Sequence, residues 1–174
     1  IGGGAFVAGQ LLRGDRGNVA EFGHTCVAPE GPRCDCGAAG CLEAVASASG
    51  LYHQLSAAGV IAATERGWAE LGPWLAARLE ARDAAVLPFW QRALDGLAVG
   101  LVNLWTAYVP QAIVIGGGLS ALVQGSRAEL DARIGERACL MPVPAGVLRF
   151  SENRHTIPLL GVAAVAGGWI AVEP

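Results

Sequence analysis

From Gly23 to Glu43 the chain reads GHTCVAPEGPRCDCGAAGCLE, which places His24, Cys34, Cys36 and Cys41 within eighteen residues. Neutral imidazole with three thiolates is one of the usual tetrahedral donor sets of zinc. Gly31, Pro32, Gly37 and Gly40 supply the turns that folding four side chains around one ion requires. Two carboxylates bracket the loop, Glu21 three positions before His24 and Glu43 two positions after Cys41. A metal-folded loop would hold both near the imidazole, an arrangement suited to a polyhydroxylated ligand. Taken alone, Glu21 reads as a solvated loop acid and Glu43 as a favourable charge at a helix start.

These residues need elements to position them. Ala5-Phe6-Val7 and Leu11-Leu12, with Ala8, Gly9 and Gln10 between, read as a β-hairpin. Leu42 to Leu55, rich in alanine, reads as one helix beginning where the cysteine loop closes, with Glu43 in its first turn. The stretch from Gly59 to Arg82 reads as helix in pieces, interrupted by Gly67, Gly72 and Pro73. From Ala84 to Tyr108, apolar residues recur every three or four positions (Leu87, Trp90, Leu94, Leu97, Leu101, Leu104 and Tyr108), the period of an amphipathic helix that Pro110 ends. Ala112 to Ile115 reads as a buried strand feeding Gly116-Gly117-Gly118, followed by a helix over Ser120 to Arg137 and a short strand at Val147 to Phe150. Ile157 to Val172 reads as a buried terminal helix, sixteen residues long and so short of the ~20 that span a bilayer. Alternating strands and helices put the chain in the α/β class.

Composition narrows the function. The chain has 174 residues, 53% hydrophobic, enough for one domain with a core. Net charge is −3 with twelve scattered basic residues, so no electrostatic footprint for nucleic acid exists and direct nucleic-acid contact is not expected. Five cysteines, three of them clustered, fit a reducing cytoplasm better than a secreted disulfide scaffold. Cys26 and Cys139 read as small packing residues, His53 and His155 as surface or capping residues, and the tryptophans as packing groups. The opening Ile1-Gly2-Gly3-Gly4 carries no signal-peptide pattern and reads as the middle of a protein.

The arrangement E-x-G-H, nine residues, C-x-C, four residues, C-x-E resembles the signature of the ROK family, the bacterial repressors and sugar kinases. The resemblance extends along most of the chain. Ile1-Gly2-Gly3-Gly4 is similar to the second half of the family's phosphate loop, Ile113 to Ser120 to its adenosine-side glycine motif, and Gly161-Val162-Ala163-Ala164 to its terminal helix. Ala20 departs from the pattern, because many members have glycine there.

The resemblance implies the actin-like, ribonuclease-H-like fold, with residues 1–174 forming mostly its second domain and 157–172 packing on a first domain. It implies that Glu21, His24 and Glu43 contact sugar hydroxyls, that His24, Cys34, Cys36 and Cys41 hold a structural zinc, and that Gly2, Gly3, Gly4, Gly116, Gly117 and Gly118 face Mg-ATP. Imidazole has two nitrogens, so His24 can serve both metal and ligand. The family's catalytic base is an aspartate in an N-D pair, and Asp15, Asp35, Asp83, Asp95 and Asp131 all lie outside such a motif. The isolated chain is therefore expected to bind weakly and not to turn over. The implied function is the sugar-binding domain of an ATP-dependent hexose or N-acetylhexosamine kinase, in a cytoplasmic homo-oligomer. The alternatives are the effector domain of a sugar-sensing repressor and a stand-alone zinc-stabilised binding or assembly module.

Overall fold

The hairpin forms where the short apolar runs place it. Strands β1 (Phe6–Val7) and β2 (Gln10–Leu11) pair antiparallel, Phe6 opposite Leu11. Ala8 and Gly9 turn the corner with φ of 52° and 81°, the positive values that a two-residue hairpin loop requires. The computed structural model describes residues 1–15, 19–62, 67 and 70–152. The expected terminal helix over 157–172 lies outside the described residues, as does His155.

After the hairpin, a 3-10 turn (Phe22–His24) leads through the cysteine loop into α1 (Leu42–Ala46), α2 (Ala48–Ala57), α3 (Leu71–Glu80) and the long α4 (Leu87–Tyr108). Next come β3 (Ile113–Ile115), α5 (Ser120–Gly125), α6 (Arg127–Arg137) and β4 (Leu148–Phe150). Strands β3 and β4 run parallel, with Ile113 opposite Leu148 and Ile115 opposite Phe150, joined by the helical crossover that parallel pairing demands. The α/β expectation holds.

Helix α4 is the spine. Trp90, Ala93, Leu94, Ala98, Leu101 and Trp105 are buried along it, and its apolar face packs with Leu51, Leu55, Leu71, Leu75 and Leu130 from the other helices. Its two buried indoles are anchored: Trp90 Nε1 donates to Ser126 Oγ at 3.0 Å and Trp105 Nε1 to the Met141 carbonyl at 2.7 Å. On the face toward α1, Gly96 and Gly100 remove the side chains that would block it. A Cβ at Gly96 would sit 2.6 Å from Val45 Cγ1, and one at Gly100 2.9 Å from Leu42 Cδ2. This close approach seats the helix that carries Glu43.

Several elements differ from expectation. The single helix over Leu42 to Leu55 breaks at Ser47, whose Oγ accepts from Gly50 N at 2.9 Å and starts α2 as an N-cap. Gly72 and Pro73 do not interrupt a helix but lie in the first turn of α3, where proline's missing N–H is harmless. The helix over Ser120 to Arg137 divides at Ser126 into α5 and α6. Strand β3 is not buried; Val114 is 61% exposed, because β3 pairs only with β4 among the described residues. Cys26 and Cys139 are exposed thiols rather than packing residues. Among the described residues no helix is long and apolar enough to cross a membrane.

Candidate functional site

The cysteine loop closes on itself through backbone bonds. Residues Cys26 and Cys41 face each other in an isolated antiparallel bridge, with Val27 N donating to Gly40 O at 2.8 Å and Leu42 N to Thr25 O at 2.9 Å. A second bridge joins Arg33 to Ala39, and Cys34 N donates to Ala38 O at 2.8 Å. Gly40 is obligatory at this crossing, since its φ is +70° and a Cβ would fall 1.6 Å from the Ala28 carbonyl oxygen.

The folded loop gathers the four expected ligands. Cys34 Sγ lies 3.6 Å from His24 Nδ1 and Cys36 Sγ 3.6 Å from Cys41 Sγ, and all four donor atoms lie within 4.8 Å of one another. Tetrahedral zinc with bonds of about 2.0–2.3 Å spaces its ligand atoms by roughly 3.5–3.8 Å, so the donor set fits the ion in type and the two 3.6 Å pairs match it in spacing. Burial pushes the Cys41 thiol up to about 12, whereas the Ala38 backbone and then the Cys41 thiol draw exposed Cys36 below its ordinary value. A buried thiol beside two others loses its proton readily only to a positive charge, and a divalent cation supplies one. With every tetrahedral position taken by protein, such an ion would be structural.

Around this cluster, motifs distant in sequence meet. Glu43 lies in the first turn of α1, half-buried. A Cβ at Gly23 would fall 2.0 Å from the Ile1 carbonyl oxygen, and one at Gly3 would fall 2.4 Å from Phe22 Cδ2. The glycine run therefore packs on the E-x-G-H turn, and Leu42 N, donating to the Thr25 carbonyl at 2.9 Å, ties the C-x-E helix start to the same turn. Glu21 and His24 are exposed at the turn. Because Nδ1 of His24 faces Cys34, its Nε2 is the nitrogen left for a ligand. Side chains at Gly2 and Gly4 would meet no atom within 4 Å, so packing within the described chain does not require these glycines.

Gly116, Gly117 and Gly118 lie elsewhere, at the carboxyl end of β3, where α/β sheets commonly bind ligands. Gly117 has φ +96°, and its carbonyl accepts from Ser120 N at 3.1 Å and Ser120 Oγ at 2.7 Å, starting α5. A Cβ at Gly72, near the start of α3, would lie 3.6 Å from the Gly118 carbonyl oxygen.

Sequence reasoning missed the contact between Phe22 and Tyr108, whose rings meet edge to face with centroids 6.2 Å apart. It also missed a cleft of ≈ 300 Å³ lined by Arg33, Asp35, Glu43, Ser49, His53 and Gln54. No local pattern announces either feature, because each joins segments far apart in the chain.

Known proteins resemble this chain in sequence and fold. The chain is 35% identical over 130 residues to the glucokinase of Thermotoga maritima, covering 69% of this chain and 40% of that one. It is 33% identical over 170 residues to the N-acetylmannosamine kinase of Citrobacter koseri, covering 97% of this chain and 54% of that one. The chain thus spans about half the length of the curated relatives it matches. Among solved structures, a ROK hexokinase from Thermus thermophilus superposes with TM-score 0.78 at 30% identity, covering 93% of this chain and 52% of that one. A ROK family glucokinase from Streptomyces griseus, in complex with glucose and AMPPNP, does so with TM-score 0.69 at 25% identity, covering 94% and 56%. A ROK family transcriptional regulator, a homologue of the E. coli MLC protein, gives TM-score 0.64 at 26% identity, covering 86% and 38%. The fold is the actin-like, ribonuclease-H-like α/β fold of these kinases. Since the family's sequence profile also matches residues 1–167, nearly the whole chain including its Cys/His loop, the chain belongs to the ROK family.

Proposed function

We propose that this chain is the sugar-binding, zinc-stabilised part of an ATP-dependent sugar kinase acting on a hexose or an N-acetylhexosamine. The observation that carries the reading is the packing of the glycine run against Glu21-Phe22-Gly23-His24, with Leu42 N bound to the Thr25 carbonyl so that Glu43 starts its helix beside the same turn. Residues His24, Cys34, Cys36 and Cys41 would hold zinc, which would fix the loop and present His24 Nε2 outward. Glu21 and Glu43 would accept hydrogen bonds from sugar hydroxyls, and ionised carboxylates make the stronger, charge-assisted kind. The open space at Gly2 and Gly4 would admit the sugar and the transferring phosphoryl group close to backbone N–H donors, a common way to hold phosphate. Gly116 to Gly118, at the end of β3, would meet the nucleotide of Mg-ATP.

Phosphoryl transfer also needs a group that orients or deprotonates the attacking hydroxyl. Asp35, the aspartate inside the cysteine loop, is exposed and lines the cleft behind that loop. Because no aspartate of the chain lies in the N-D pair that the family resemblance leads one to expect, the base would be supplied by a part of the longer protein outside this chain. The proteins named as glucokinase and N-acetylmannosamine kinase among the relatives support the kinase reading and both sugar classes. Likeness to the transcriptional regulator supports a second reading, in which the same site senses a sugar without transferring phosphate.

Glu43→Gln in the full-length protein tests the site. Calorimetric titration with hexoses and N-acetylhexosamines is expected to show binding to the parent and a clear loss in the variant, with zinc content unchanged. Equal sugar affinity in the two would reject the assigned contact.

A further inference from the structure

Two residues other than glycine hold left-handed backbone conformations on either side of a single aromatic contact. Ala20, with φ 59°, precedes Glu21, and Val109, with φ 43° and ψ 55°, caps α4 directly after Tyr108. A β-branched residue in this region is a genuine outlier. Such strain persists only where the surroundings over-determine it, and it clusters at functional sites.

What the two strained positions share is the pair Phe22–Tyr108, with ring centroids 6.2 Å apart and planes at 69°. That is the edge-to-face arrangement favoured by aromatic quadrupoles. Burial does not explain it, because Tyr108 is 53% exposed. Phe22 begins the 3-10 turn that carries His24, follows Glu21 directly, and is met from another side by Gly3, where a Cβ would fall 2.4 Å from its ring. The ring is thus clamped between the glycine run and the last residue of α4. Val109 N donates to Trp105 O at 2.9 Å, so the helix closes with Tyr108 as its final residue.

We propose that Tyr108 is a positioning residue for the sugar site: through Phe22 it fixes the turn on which Glu21 and His24 are presented. The proposal rests on the sugar-binding reading above, and its test includes an arm that does not.

The experiment uses the full-length, zinc-loaded protein with Tyr108→Ala and Tyr108→Phe. It records sugar KM, ATP KM, kcat, Tm and the rate of zinc release to a chromogenic chelator. Losing an edge-to-face pair is expected to raise sugar KM by roughly three- to tenfold. ATP KM and Tm stay at parental values, zinc release through the loosened His24 arm accelerates, and Tyr108→Phe restores both sugar KM and release rate. Parental sugar KM and zinc release in Tyr108→Ala would overturn the proposal. So would a parallel loss of sugar and ATP binding that tracks Tm, or a phenylalanine variant as impaired as the alanine one. If the parent turns over no sugar, the kinase reading fails separately. The zinc-release arm still decides: acceleration at constant Tm with rescue by phenylalanine supports positioning of His24, and an unchanged rate rejects it.

Discussion

Replacing Gly40 by alanine should damage the zinc loop through two separable costs. Gly40 has φ +70°, a conformation that costs an L-residue about 1–2 kcal/mol. Its new Cβ would also fall 1.6 Å from the Ala28 carbonyl oxygen, which accepts from Gly31 N at 2.7 Å. Displacing that carbonyl endangers this bond and those that Gly40 O accepts from Val27 N and Ala28 N, at about 0.5–1.5 kcal/mol each. The total is about 2.5–6.5 kcal/mol, and because zinc-binding free energy includes the folding of its loop, this should appear as zinc affinity weaker by roughly 60- to 40,000-fold. Gly37 supplies the control. It has φ +92° but nothing within 4 Å of an added Cβ, so Gly37→Ala carries only conformational strain, about 1–2 kcal/mol or roughly 5- to 30-fold. Competition against a chelator of known affinity gives both constants. Equal weakening in the two variants, or parental affinity in Gly40→Ala, would refute the reasoning.

Three further outcomes follow from the packing and the charges. Gly50→Ala should melt below the parent in a thermal scan: its Cβ would press 2.4 Å from Glu43 O and 2.5 Å from Ala44 O, backbone atoms that cannot step aside, which outweighs a helix-propensity gain of about 1 kcal/mol; a higher Tm would contradict this. Trp105→Phe leaves the Met141 carbonyl without its donor and should cost about 1–3 kcal/mol, read from the denaturant midpoint, and an unchanged midpoint would contradict it. Asp83 is held below its ordinary pKa by the Ala85 N–H and then the Arg78 guanidinium, so its contribution is present above its unfolded pKa of about 4 and is lost as pH falls through the folded value. Asp83→Asn should therefore be less stable than the parent near neutrality, with the gap closing on acidification; a constant gap in urea titrations would contradict this.

Features legible in the sequence are those carried by short spacing. The four metal-type ligands lie within one loop, and the hairpin, α4 and β4 each announce themselves through local periodicity and turn residues. Helix ends were harder to read, because alanine-rich runs hide a capping serine: Ser47 divides α1 from α2 only because its Oγ reaches Gly50 N. Gly72-Pro73 reads as a breaker by type yet opens α3, since the same residues suit a first turn. Apolar Val114 reads as buried, but exposure depends on how many strands flank β3, which no local pattern encodes. Least legible were contacts across long separations. Gly3 meets Phe22 and Phe22 meets Tyr108 only once the fold exists, and hydrophobic pattern cannot identify one aromatic partner among several.

The central claim, a sugar site serving phosphoryl transfer, is tested most directly by a coupled ADP-release assay on the full-length protein, with Mg-ATP and a panel of hexoses and N-acetylhexosamines. Sugar-dependent ADP release is expected with at least one of them, abolished or strongly reduced by Glu43→Gln. Absence of turnover with every sugar, together with no sugar-induced shift in Tm, would contradict it.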